Sequence, residues 1–138
     1  MEFLTQADLL ALINQQELDI ISDETAARID AAELMAIEEI NSHLHQRFNK
    51  ADIFNTAGGR NALIVMYCID CTLYHLHASI MPENVPELRQ LRYDQALKWL
   101  EKVADGFITP SISPKTDENG EKTKVMRYGS GTKQNFYF

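Results

Sequence analysis

Apolar residues recur at helical spacing along four stretches of the chain, and the pattern stops near residue 108. Thr5 is placed to cap a first helix, with Asp8 three residues on as a capping-box partner, and Leu9, Leu10, Leu12 and Ile13 supply its apolar face. Gln16 to Ile21 reads as a further short turn of helix. A second long helix is predicted from Glu24 to Phe48, capped by Asp23, with Ile29, Leu34, Ile37, Ile40, Leu44 and Phe48 facing inward. Asp30, Glu33, Glu38 and Glu39 fall on its other face, which is expected to be solvated or to meet another subunit. Residues 49–60 read as a polar loop punctuated by Gly58-Gly59. The next helix, Asn61 to Ile80, is apolar on nearly every side, which suits the centre of a bundle. Pro82 and Pro86 bracket a short connection to a last helix, Pro86 to Asp105. There Leu88, Leu91, Leu97, Leu100 and Val103 are expected inside, and Gly106 is a natural C-cap.

Residues 109–138 have no helical period and contain Pro110, Pro114 and several glycines. Asn119-Gly120 fits a two-residue hairpin turn, and Lys124 to Tyr128 a short strand. The segment closes on Phe136-Tyr137-Phe138 and, fully extended, spans at most ~100 Å. The expected fold is therefore mainly α: a four-to-five-helix bundle over residues 1–108, then an extended C-terminal arm, 109–138, carrying a short β-hairpin.

Charge sharpens the same boundary. Residues 1–108 hold 8 Lys/Arg and 17 Asp/Glu, a balance of −9, while residues 109–138 hold 5 and 3, a balance of +2. An acidic body is a poor nucleic-acid gripper, because phosphate binding needs clustered positive charge. With 138 residues, 45% of them hydrophobic, the chain can bury a core without disulfides or metal. The opening residues show no basic n-region or apolar h-region, so no signal peptide is expected. The longest apolar run, Ala62 to Ile69, is short of the ~20 residues a bilayer span needs, and a soluble intracellular protein is expected.

Cys68, Cys71 and His75 share one face of the third long helix, so a metal or redox site is geometrically open. Structural zinc takes four ligands, commonly as two spaced pairs, and no second pair exists; His77 lies off that face, and His43 and His45 are on another helix. A reduced core pair is the favoured reading. Asp70 stands inside an apolar helix, where an unpaired charge is costly. It is expected to form a buried pair with Arg92 or Arg89 of the next helix, with Tyr93 or Tyr74 donating to it. Phe136, Tyr137, Phe138, Tyr128 and Arg127 are read as anchors for pockets on another chain, because apolar side chains left in water gain nothing. The bland alternative is a tail folded back on its own core.

The order of the pieces adds a resemblance. Phe3-Leu4-Thr5-x-x-Asp8-Leu9 is followed by His43-Leu44-x-x-Arg47-Phe48, then by a helix pair carrying Cys68-Ile69-Asp70 and Tyr74-His75-Leu76. Arg92-Tyr93-Asp94-x-Ala96-Leu97-x-x-Leu100 and Val103-Ala104-x-Gly106 come last. In this arrangement the chain resembles a Mu-like prophage protein family, itself similar to the head–tail connector (adaptor, head-completion) proteins of tailed phages. The likeness covers residues 1–108, and Arg92 to Gly106 is its most specific part. The sequence departs from the family at 49–60, where relatives often have a proline-rich segment.

The resemblance implies a structural protein without catalytic residues or cofactor, made in the bacterial cytoplasm and built into the virion at the head–tail interface. It implies a dodecameric ring of copies beneath the portal protein, with the arm inserting into the portal or neighbouring subunits and with stopper or tail proteins below. DNA would pass through without specific binding, and no membrane is involved. A stopper or neck-ring protein of the same region is one alternative; a small metal- or redox-active protein using Cys68, Cys71 and His75 is the other.

Overall fold

A computed structural model describes residues 1–116. Among them are six helices: α1 (Gln6–Leu10), α2 (Gln15–Ser22), α3 (Ala26–Leu44), α4 (Lys50–Ile53), α5 (Ala62–Ile80) and α6 (Glu87–Ala104). The protein is mainly α-helical, as the periodicity predicts. The hairpin and strand expected at 119–128 lie outside the described residues.

Local chemistry sets most of the helix ends. Thr5 and Asp8 close a capping box on α1: the Asp8 amide donates to Thr5 Oγ1 at 3.3 Å and the Thr5 amide donates to Asp8 Oδ2 at 2.7 Å. Asn61 caps α5, its Oδ1 accepting from the Leu63 and Ile64 amides. Gly106, at φ 84°, ends α6 in a Schellman turn: the Phe107 amide reaches Lys102 O and the Gly106 amide reaches Val103 O.

Asp23 does something other than cap α3. It is the left-handed C-cap of α2 (φ 53°), and the Asp23 and Glu24 amides satisfy the carbonyls of Ile20 and Asp19. Asp tolerates this conformation better than most residues, so it can end one helix as readily as begin another. Gln16–Ile21 is accordingly a full helix, and the predicted loop at 49–60 contains the short helix α4, whose Ile53 is buried.

α5 is the centre of the structure and packs on α1, α2, α3 and α6. By length and composition it is apolar enough to cross a membrane, but half of that apolar window is buried inside the protein. Ala36, Ile40 and Leu44 of α3, Ile64, Leu73 and Leu76 of α5, and Ala96, Leu100 and Val103 of α6 form the core with Leu9, Leu18, Ile21 and Phe48.

The structure corrects the predicted faces on several helices. Leu10, Leu12, Leu34, Leu88 and Leu91 are exposed rather than inward. On α3 the inward position beside Leu34 is taken by Glu33, only 1% exposed, although the acidic face was expected to be solvated. Glu39 from the same face is half-buried, and Asp30 and Glu38 are exposed. Periodicity cannot see these exchanges, because each polar side chain is taken inside by specific partners.

Candidate functional site

The chain leaves α6 at Gly106 and runs as a strap across one end of the helical bundle. Ile108 and Ile112 pack against the core and Pro110 is buried. Arg47, just after α3, holds the start of this strap. Its Nη1 donates to Val103 O at 2.6 Å and to Ile108 O at 2.9 Å, and its Nη2 to Thr109 Oγ1 at 3.0 Å. The strap returns to the same residue: the Lys115 amide donates to Arg47 O at 2.8 Å, and Lys115 Nζ to His45 O at 3.2 Å. Asn61, the α5 cap, donates from Nδ2 to Ser111 O. A polar cleft of about 440 Å³ lies beside the strap, lined by Asp52, Asn55, Arg60, Asn61, Ser111 and Ser113 among others. Arg60 is committed to Asp8, whose carboxyl it draws down to about 2. The expected anchors Arg127, Tyr128, Phe136, Tyr137 and Phe138 lie outside the described residues.

Two polar clusters join the long helices. In the first, Arg92 of α6 donates from Nε to Asp70 Oδ1 at 2.8 Å and from Nη2 to Oδ2 at 3.4 Å, and Arg89 Nη1 lies 3.8 Å from Oδ1. Asp70 is 2% exposed, so both arginines of the sequence-based expectation converge on one carboxylate. In the second, Glu39 of α3 accepts from Tyr93 Oη at 2.6 Å and pairs with His75 Nε2 at 3.1 Å. Burial pushes the Glu39 carboxyl up, but the hydrogen bonds from His75 and Tyr93 outweigh it and leave it below its ordinary value. Tyr93 stacks on Tyr74 at 3.9 Å. The expectation that Tyr93 would donate to Asp70 is therefore corrected: its hydroxyl belongs to Glu39, which reaches it from α3.

Cys68 and Cys71 are both fully buried and reduced. Burial pushes the Cys68 thiol up to about 12 and Cys71 further in the same direction. His75 pairs with Glu39, and among the described residues no group of three or more His, Cys, Asp and Glu side chains is arranged to hold a metal ion. In the native protein a charged thiol reagent at pH 8 should modify neither cysteine, and both should react once denaturant is added. Stoichiometric labelling of the folded chain would contradict this burial and restore the redox alternative.

The model of the family described as Bacteriophage Mu, Gp36 matches residues 3–127. The chain belongs to this family. No curated protein matches it. The Gp36 match runs through all six helices and the strap, so it includes Arg47, Asp70, Arg92 and the segment to Arg127, while Phe136–Phe138 fall beyond it. Three residues of this Gp36-family chain acquire structural roles that the sequence reading did not give them: Arg47, Glu33 and Glu39. Arg47 stood in the quoted motif ending at Phe48. The unused signal was a lone arginine directly after a long helix, followed much later by a helix C-terminus in need of a cation.

Proposed function

We propose that this phage-family protein is a head–tail adaptor: a structural, non-catalytic subunit of a ring beneath the portal, dodecameric in the simplest reading, that joins the portal to the stopper or tail. The observation that carries the proposal is the Gp36 match along nearly the whole chain, on a helical body that ends in a basic, aromatic-tipped C-terminal segment. Charge supports it. A body of net −9 keeps phosphate contacts weak for DNA passing through a ring, and a segment of opposite sign offers the second, different surface that a head-to-tail interface needs. Arg127, Tyr128, Phe136, Tyr137 and Phe138 are the proposed docking residues, on the portal or on the adjacent subunit.

Native mass spectrometry of the chain alone and with the portal protein of the same genome tests this. The 15.7 kDa chain should join the portal at matching stoichiometry. A chain ending at residue 116 should keep its helical circular dichroism and lose the association. A full chain indifferent to the portal removes the adaptor reading. One that binds tail components first, and the portal only through them, favours a stopper.

A further inference from the structure

We propose that Arg47 is a positioning residue: it fastens residues 108–115 across the end of the bundle and so sets the place from which the partner-binding segment departs. The inference rests on the adaptor reading for its consequence, but its structural basis is independent.

Gly106 ends α6 with a left-handed turn and, taken alone, would release the chain there. It does not. Among the described residues, one guanidinium serves three acceptors from two parts of the chain, a carbonyl in the last turn of α6, the carbonyl of Ile108 and the hydroxyl of Thr109. A planar fork spreads its donors over several nitrogens in fixed directions, which suits acceptors set apart better than a single ammonium nitrogen does, and charge-assisted bonds to carbonyls at a helix C-terminus are favourable for dipole reasons as well. The main-chain carbonyl at position 47 takes the Lys115 amide, so the arginine side chain holds the strap near its start and a backbone bond, which Arg47→Ala keeps, holds its end. Between these points Pro110 is buried and Ile108 and Ile112 lie on the core, so the fastening is packed as well as hydrogen-bonded.

The consequence is pre-organisation. With the strap fastened, the chain is held on the body as far as Lys115. Without it, the hold ends at Gly106, and the strap must be ordered when a partner binds. Ordering even one or two extra backbone residues weakens binding by about tenfold.

The test uses the full-length chain and the portal protein of the same genome. Arg47→Ala should weaken the Kd for the portal by roughly tenfold or more. Amide hydrogen exchange at residues 108–115 of the free protein should rise, with α5 still protected. The triple variant Phe136→Ala, Tyr137→Ala, Phe138→Ala separates the two ideas. If it binds like the wild type, docking by the aromatic end fails, and the fastening is judged on exchange alone. If it loses binding while Arg47→Ala keeps the wild-type Kd, the positioning role is overturned. Unchanged exchange at 108–115 in Arg47→Ala overturns the fastening itself. Should Arg47→Ala not fold, Thr109→Val with Lys115→Ala loosens the strap from its own side, with the same expectations.

Discussion

Asp70→Ala is expected to destabilise the protein by about 3 kcal/mol, the low end of the range for breaking a buried ion pair. For a domain of this size that is a fall in Tm of roughly 10 °C. The two arginines do not share the loss equally. The Arg92 side chain is 31% exposed and can turn to water once its carboxylate is gone. Arg89 is 12% exposed, and among the described residues its Nη1 has no hydrogen-bond partner, with the Asp70 charge at 3.8 Å. Burial pulls the Arg89 guanidinium below its ordinary value, and Asp70 is the strongest influence opposing that pull. Removing Asp70 therefore leaves a buried cation without its main compensating charge, which is the costly half of breaking such a pair. It follows that Asp70→Ala combined with Arg89→Met should recover much of the lost stability, whereas Asp70→Ala with Arg92→Met should recover little. Thermal and urea unfolding of the four proteins, wild type included, measures this directly. An unchanged melting temperature for Asp70→Ala, or equal recovery by both double variants, would show that the cluster is not the buried electrostatic contact its geometry describes.

That cluster also marks how far the sequence could be read. A charge in an apolar helix demands a partner, and arginines on the next helix were the available ones; that much needed only burial cost and chain order. The helices themselves were legible for the same kind of reason, since their caps at Thr5 and Gly106 and the apolar period of α3 and α5 are local. What was not legible depends on a third element arriving from elsewhere. Spacing offers Tyr93 or Tyr74 to Asp70 because it sees only α5 and α6, and Glu39, which takes the Tyr93 hydroxyl, comes from α3. Leu34 looked inward and Glu33 outward by spacing, but the residue taken inside was decided by the N-terminal segment. Arg47 carried no visible role because its acceptors, Val103, Ile108 and Thr109, are more than fifty positions away and two of them are main-chain carbonyls, which no residue pattern announces.

Glu33 provides the other large effect, and it tests that last kind of contact. Its carboxyl group is buried, and Oε1 accepts from the Glu2 amide at 2.7 Å and from the Phe3 amide at 2.9 Å. The chain before α1 has no helix or strand of its own to satisfy these amides, so the side chain of α3 does it. The reward is the burial of Phe3 and Leu4, each 3% exposed, with the Phe3 ring set edge-on to Phe54 at 5.2 Å. Glu33→Ala strips the acceptor from both amides, one of them fully buried, at about 1–3 kcal/mol for each unsatisfied group. Some of that is regained where the Glu2 amide reaches water, and a net loss of about 3 kcal/mol is expected once the vacated volume is included. Glu33→Gln keeps an oxygen in the same place and should cost only about 1 kcal/mol. The contrast matters more than either value, because a side chain that merely fills space would give similar losses in both variants. Urea unfolding supplies the energies, and hydrogen exchange at Phe3 reports whether the segment has come away. Equal destabilisation by Ala and Gln, or an undisturbed Phe3 amide in Glu33→Ala, would mean that the N-terminal segment is held by Phe3 and Leu4 alone.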